Sequence, residues 1–554
     1  MRKLVLALIA LSFFGTASTC RQRGGNAVTV ALPEKFSSFD TLTSAAAPDA
    51  AAERIRTLIF NSLVRKNEKF EYVGELASEI KPSDDGLAIT FVLREGVKFH
   101  NGQPFTSADV KYTLEQLFAG DEKSRPFKGG AFFDTVPLDK ADATPQDTPA
   151  PTTNTANANA NAAIKAPEPP KTKRVPHITG IETPDAKTVV IKIARPALKN
   201  SLLSNLVAVP IVAQGTAGQL KEQPVGTGPF KFTAFDASQN TVDLAANTEY
   251  WEGAPKVPAL RIKTVTDATS LQAELQSGGV DIAPNPSNLP PDSLKALAND
   301  AKLKVDQFDG SNIQYLILNT SSAPLNNVKI RQAIAYAIDR QKIVKDLLAN
   351  QAAVADSIVP AQSWAYTPGK QYTFDPAKAK ALLAEAGYKN EPISFKYGAG
   401  NAAINQYAQV IQSSLNDIGL NVQIETLEAN VIRAQLAQGQ FQMYTGTWVG
   451  GNTDPKFMRD LFSSAMIPGP LVPCCNRGRF SNPEVDKILD QAVNATDPTV
   501  AKPLYVKAWD MISEDMPMVP LWYPANIVVS NKRIGNVKMS GSGDWGFLKD
   551  ITVQ

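Results

Sequence analysis

Ile89, Phe91 and Leu93 alternate with Thr90, Val92 and Arg94, the period-two pattern of a half-buried strand. A change of period follows soon after. Val110, Leu114, Leu117 and Phe118 repeat at helical spacing, and Thr106 with Asp109 ahead of them forms a capping-box pattern that predicts where the helix starts. Val189, Ile191 and Ile193 return to strand alternation. Further on, Asp375 reads as an N-cap, Pro376 as the first helical residue and Gly387 as the left-handed residue that ends the helix. Ile404, Tyr407, Ile411, Leu415 and Ile418 form another apolar stripe, closed by Gly419. Strands alternating with helices predict an α/β protein, and no tandem repeat is present.

Two segments break the pattern. Between about Val136 and Val175 the composition turns to Pro, Ala, Thr and Asn, which cannot bury enough apolar surface to offset the entropy of ordering; a disordered surface insertion is expected there. At the N-terminus, Arg2 and Lys3 precede an apolar run from Leu4 to Phe14 and small residues up to Cys20, the layout of a secretory signal over residues 1–19. That run is shorter than the roughly 20 residues a spanning helix needs, and no second long apolar stretch follows. Ala17-Ser18-Thr19-Cys20 resembles a lipobox, with Ala17 and Thr19 where Leu and a smaller residue are commoner. Lipidation of Cys20 and a short anchor linker over residues 20–26 are expected, with membrane attachment through that lipid.

Across 554 residues, hydrophobic side chains make up 43%, enough for a large core and at least two lobes. Lys+Arg at 56 against Asp+Glu at 54 leave a formal net charge of +2, so no global field draws the chain to nucleic acid. Cys474 and Cys475 are adjacent, and neighbouring residues bridge only through a strained ring; no structural disulfide is expected, and the pair reads as packing or pocket lining. Two histidines offer little to a catalytic triad or a histidine metal site. His100 reads as part of a turn, and His177 adjoins the insertion. Gly226-Thr227-Gly228-Pro229-Phe230 lacks the Gly-Lys-Ser/Thr ending of a phosphate loop and reads as a rigid turn. The tryptophans default to packing. No enzyme site, metal or cofactor is expected.

The stretch Leu93-Arg94-Glu95-Gly96-Val97-Lys98-Phe99-His100-Asn101-Gly102-Gln103-Pro104-Phe105-Thr106-Ser107-Ala108-Asp109-Val110 resembles the most characteristic segment of the family 5 extracellular solute-binding proteins, the peptide, dipeptide and nickel-complex receptors of ABC importers. Pro224 to Phe230, Val328 to Arg340, Ala379 to Tyr388, Asn482 to Asp486 and Met516 to Leu521 continue the resemblance in the family's order, over nearly the whole chain. The resemblance implies a two-lobed periplasmic-binding-protein-like (type II) α/β fold with mixed sheets and an interlobe ligand cleft. Lobe I is expected from residues 27–265 plus 524–554 and lobe II from 266–523, with crossings near Ile262 to Asp267 and Leu521 to Asn526. It implies a monomer that closes on a small peptide or peptide-like solute and docks to permease and ATPase subunits.

Ligand contacts carried over by position are Phe39, Thr43, Ser44, Asn319, Glu428, Trp448, Val449, Gly451, Asn452, Trp522 and Tyr523. In peptide-binding relatives an aspartate three residues after the tryptophan pairs with the ligand's α-ammonium; here that position is Gly451. Burying an ammonium without a counter-charge costs several kcal/mol. A ligand neutral or anionic at that end, such as a modified peptide, an oligosaccharide or an opine-like conjugate, becomes more favourable. Asp454 could substitute, although Asp454-Pro455 also reads as a turn. Relatives carry an aromatic near the position of Ala429, whose small side chain would reshape the cleft. A hydrolase of exported peptides or glycosides, and an envelope sensor or chaperone of the same fold, are the alternatives to a transport receptor.

Overall fold

A computed structural model describes residues 27–46, 49–120, 124–137, 172–399, 402–450, 453–469, 475–495 and 497–554. The expected signal segment, Cys20 and the expected linker lie outside these residues, as do Gly451, Asn452 and most of the Pro/Ala/Thr/Asn insertion.

The strands predicted from alternation form as expected. Ala88–Leu93 pairs with Thr188–Ile193 at the centre of a four-stranded antiparallel sheet, with Ala77–Pro82 and Ile178–Asp185 outside them. Helix Ser107–Leu117 begins in a complete capping box: the Asp109 carboxylate accepts from the Thr106 amide at 2.8 Å and from its hydroxyl at 3.1 Å. Helix Pro376–Ala386 is capped by Asp375 and ends at Gly387 with φ +66°, a conformation glycine adopts without steric cost.

Two larger sheets organise the rest. The first, seven-stranded, runs in the order Phe230–Asp236, Thr241–Ala246, Ala259–Thr264, Ala27–Leu32, Ile282–Pro284, Asn526–Asn531 and Leu303–Phe308. Ala27–Leu32 is parallel to both its neighbours, which buries it on two faces. The second, six-stranded, runs Ala352–Val354, Met518–Pro524, Ile313–Leu318, Met443–Trp448, Pro392–Gly398 and Asn421–Leu427. Every residue of Ile313–Leu318 is buried. Leu316 and Leu318 pack into one apolar cluster while Ile313, Tyr315 and Ile317 pack into another, so helices cover both faces of this sheet.

Strand pairing relocates one expected boundary. The chain does not leave the first sheet near Ile262 to Asp267, because Ile282–Pro284 and Leu303–Phe308 still belong to it; the passage to the second sheet falls between Phe308 and Ile313. Residues 266–308 contribute a small cluster around Leu271, Leu275 and Leu297 against the first sheet. The return crossing, between Met518–Pro524 and Asn526–Asn531, lies within the expected segment Leu521 to Asn526.

Two further expectations are corrected. The margins of the insertion are ordered strands: Phe133–Pro137 pairs antiparallel with Thr172–Pro176, so backbone pairing organises residues whose composition alone suggested disorder. Cys475 is disulfide-bonded, whereas no structural bridge was expected; its partner lies outside the described residues.

His100 joins the turn at Gly226–Phe230 to the strand before it. Its Nε2–H donates to the Gly228 carbonyl at 3.0 Å, and the Gly226 amide approaches Nδ1 at 3.4 Å, so a neutral ring serves both partners. Burial pushes its pKa down to about 4. Above pH 6.5 the ring is neutral in folded and unfolded chains alike. As the pH falls below 6.5 the unfolded ring takes up a proton that the folded one refuses, so stability declines until about pH 4, by up to about 3 kcal/mol. Denaturant titrations between pH 7.5 and 4.5 should show a shallower loss in His100→Gln than in the parent. Parallel curves would remove His100 as a source of the acid sensitivity.

Candidate functional site between the two lobes

In the central antiparallel strand pair of the second sheet, the end where Ile313 begins one strand and Trp448 closes the other lies next to the passage between sheets. Trp448 packs at a tilt of 51° against Phe457 of the following helix Lys456–Phe462, with ring centres 4.5 Å apart, and stays part-exposed. Val449 beside it is 72% exposed, a large apolar side chain with nothing covering it. The Asn312 carboxamide accepts from the Gly450 amide at 3.1 Å and ties the start of the loop to the crossing.

Beyond that loop, Thr453 and Asp454 meet the hairpin of strands Val64–Lys66 and Tyr72–Gly74 in the first lobe. Lys66 Nζ donates to Thr453 Oγ1 at 2.6 Å, and the Tyr72 hydroxyl donates to Asp454 Oδ2. The Lys66 ammonium also lies 5.3 Å from the Tyr72 ring centre. Burial pushes the Lys66 pKa down, and the Asp454 charge acts against that shift. Asp454 serves its own helix as well, accepting from the Lys456 amide at 2.9 Å through Oδ1. Asp454 thus organises its turn through one oxygen, while its second oxygen accepts from Tyr72 of the opposite lobe.

A cavity of about 330 Å³ opens at this junction, walled by Tyr72, Lys199 and Asn200 from one lobe and by Trp364, Asp454 and Tyr505 from the other. An enclosure built from both lobes exists only while they are together, so it couples occupancy to closure.

The remaining expected contacts divide. Thr43 donates its hydroxyl to Asp40 at 2.5 Å, and the Ser44 carbonyl accepts from the Phe127 amide at 2.8 Å, which holds the loop after the first strand in shape. Glu428 is exposed at the head of helix Ala429–Gln438. Phe39, however, is buried among Phe36, Phe232 and Phe235 at ring distances of 4.6, 4.9 and 5.8 Å. Asn319 is buried beyond the far end of its strand, where it donates to the carbonyls of Gly439 and Phe441. Trp522 packs edge-on against Tyr407 in the core at 4.9 Å, and the Tyr523 hydroxyl donates to the carbonyls of Ser357 and Val359. These four side chains are committed to packing rather than to the cleft. Sequence reasoning missed Lys66 and Tyr72, because a three-residue strand is too short to show alternation and their partners lie 387 and 382 residues away.

The profile described as bacterial extracellular solute-binding proteins, family 5, middle, matches residues 71–467. The chain belongs to this family. Heme-binding protein A of Haemophilus influenzae is 28% identical over 498 residues, covering 88% of this chain and 85% of that protein. The probable D,D-dipeptide-binding periplasmic protein DdpA of Escherichia coli is 28% identical over 474 residues, covering 83% and 81%. Among solved structures, HbpA2 from Haemophilus parasuis superposes with a TM-score of 0.75 at 25% identity, covering 96% of this chain and all of that one. The mixed-sheet, two-lobed architecture is therefore that of the type II family 5 binding proteins. Among the described residues no helix is long and apolar enough to cross a membrane, and no cluster of three metal-ligating side chains forms.

Proposed function

We propose that this family 5 solute-binding protein captures a peptide or peptide-like solute between its lobes outside the cytoplasm and delivers the closed complex to the permease and ATPase subunits of an ABC importer. The observation that carries the reading is the contact of Thr453 and Asp454 with Lys66 and Tyr72 across a cavity lined by both lobes. Relatives named for D,D-dipeptides and for di- and tripeptides support the solute class. The chain acts as a monomer without turnover, held at the membrane by lipid on Cys20 after removal of residues 1–19. Trp448, Val449, Gly451 and Asn452 contribute to the cleft, with Thr43, Ser44 and Glu428 at its margins.

Native mass spectrometry of gently purified mature protein, followed by identification of any released molecule, tests this reading. A stoichiometric adduct that survives incubation unchanged is the expected result. Conversion of added peptides to products would replace the receptor with an enzyme.

Gly451→Asp places a carboxylate three residues after Trp448, and it should strengthen binding of free-amino dipeptides by about tenfold or more, the range of a charge-assisted hydrogen bond. Calorimetric titration against a dipeptide panel checks it, and an unchanged panel would count against a peptide backbone running past this position.

A further inference from the structure

The cavity at the lobe boundary has a wall chemistry that selects among solute groups. On the side of the second sheet, Ala501 and Tyr505 stand one turn apart on the same face of helix Pro498–Asp515. Ala501 leaves room beside the Tyr505 ring, and Ala492 of the neighbouring helix Pro483–Asn494 adds no bulk. Trp364 meets the Tyr505 ring edge-on, at 74° with centres 6.0 Å apart, so each ring fixes the other. Tyr72 supplies a third ring from across the boundary. At about 330 Å³ the space lies at the low end of the roughly 300–1,000 Å³ of small-molecule pockets, which suits one large side chain.

The charged groups on these walls already have partners within the protein. Asp454 takes the Tyr72 hydroxyl through one oxygen and the Lys456 amide through the other. Burial pushes the Lys199 pKa down, and the Asp497 carboxylate of the opposite lobe works against that shift. Glu71 accepts from the Asn67 carboxamide at 2.8 Å. Two neutral donors are left over. Tyr505 is 4% exposed and Trp364 half-buried, and neither the hydroxyl nor the indole N–H makes a hydrogen bond among the described residues. Burial and the neighbouring Asp454 charge both push the Tyr505 pKa up, so its hydroxyl stays a donor. Native interiors seldom leave such groups unpaired, and an acceptor carried in by a ligand satisfies them. The cavity also adjoins the loop after Trp448: the Thr453 hydroxyl, next to Asp454, donates to the Gly450 carbonyl at 2.8 Å and ties that loop to the wall.

We propose that this cavity is a specificity subsite for an uncharged aromatic side chain of the captured solute, with Trp364 and Tyr505 as the specificity-determining residues and a phenolic ring as the best fit. The proposal rests on the receptor reading above and deepens it. A ring entering between Tyr72 of one lobe and Trp364 and Tyr505 of the other meets the edge-to-face geometry that aromatic groups prefer. Its phenolic oxygen accepts from the unpaired donors, which a phenylalanine ring does not. A charged side chain would lose its hydration here and gain no partner, since each wall charge is already matched. Because the ring touches both lobes, filling the cavity shifts the population towards the closed form.

4-Methylphenol, the tyrosine side chain as a free molecule, is the direct probe. At millimolar concentration it should raise the thermal midpoint of the parent protein, and Ala501→Leu, which adds bulk on the helix face that carries Tyr505, should abolish the rise. Tyr505→Phe keeps the ring against Trp364 and removes only the hydroxyl, so it should diminish the rise and tests the site even where Ala501→Leu misfolds. In parallel, calorimetric titration compares dipeptides acetylated at the amino end, because Gly451 supplies no counter-charge there. Acetyl-Ala-Tyr should bind the parent about tenfold or more tightly than acetyl-Ala-Ala or acetyl-Ala-Lys, and Ala501→Leu should erase that difference. A midpoint rise that is absent, or equal in parent and both variants, overturns the subsite. Peptides that bind with no preference for the aromatic ring overturn it too, while leaving the receptor reading intact. A rise lost or diminished in the variants, with no peptide bound by the parent, upholds the aromatic subsite and removes peptides as the solute.

Discussion

Tyr72→Phe is expected to cut the ratio of closed to open molecules by about tenfold or more in the unliganded protein. The Tyr72 hydroxyl donates to the Asp454 carboxylate across the lobe boundary, so the bond exists only in the closed arrangement. A hydrogen bond to a charged group contributes about 1.5–3 kcal/mol, and each 1.4 kcal/mol is tenfold in an equilibrium constant. Phenylalanine keeps the ring beneath the Lys66 ammonium and removes only the hydroxyl, which makes it a cleaner probe than a change at Asp454. Asp454→Ala would also strip the amide cap from Lys456 and leave the half-buried Lys66 ammonium without its opposing charge. Small-angle scattering reads the outcome as a larger radius of gyration in Tyr72→Phe. The affinity for the molecule found by native mass spectrometry should fall by the same factor, because a ligand that needs the closed state loses the fraction by which that state is depleted. An unchanged radius in a fully folded variant would mean that closure is held elsewhere, for instance by the Lys66–Thr453 bond.

Periodicity and capping chemistry are local, and they located the elements well. The alternation at Ile89, Phe91 and Leu93, the Thr106–Asp109 capping box and the Asp375–Gly387 helix all form as their residues dictate. Which sheet a strand joins is a long-range matter. Ile282–Pro284 is three residues long and carries no signal that it pairs with both Ala27–Leu32 and Asn526–Asn531, and so the crossing was placed too early. The candidate site suffered similarly. A tryptophan such as Trp522 and an amide such as Asn319 look alike in sequence whether they face a cleft or a core, and burial decides between them only in three dimensions. Trp448 differs from both: it is only partly buried, packed against Phe457 at the end of its strand.

Gly228→Ala is expected to destabilise the first lobe by about 3–5 kcal/mol, in the tail of the range for point substitutions. A Cβ at this position would stand 2.5 Å from the Ile59 carbonyl carbon and 2.7 Å from the carbonyl oxygens of Ile59 and Leu58, all of them backbone atoms at the end of helix Ala50–Ile59. None is the free end of a side chain that could swing away, so the turn itself must lift off the helix. Lifting it breaks more than one contact. The Gly228 amide donates to Ile59 at 2.8 Å, its carbonyl accepts from His100 and from Asn247, and the neighbouring Thr227 hydroxyl donates to Asn61, which in turn receives the Trp251 indole N–H. Gly218→Ala is the matched control, since a Cβ there meets nothing within 4 Å, and it should leave the protein unchanged. Because a two-lobed chain need not unfold in one step, hydrogen exchange resolved by peptide is the suitable measurement. Gly228→Ala should lower protection in the first-lobe strands Ala27–Leu32 and Ala88–Leu93 while sparing Ile313–Leu318. Loss of protection in both lobes together would instead make this turn part of one cooperative unit, in which hinge closure draws on the stability of the whole molecule.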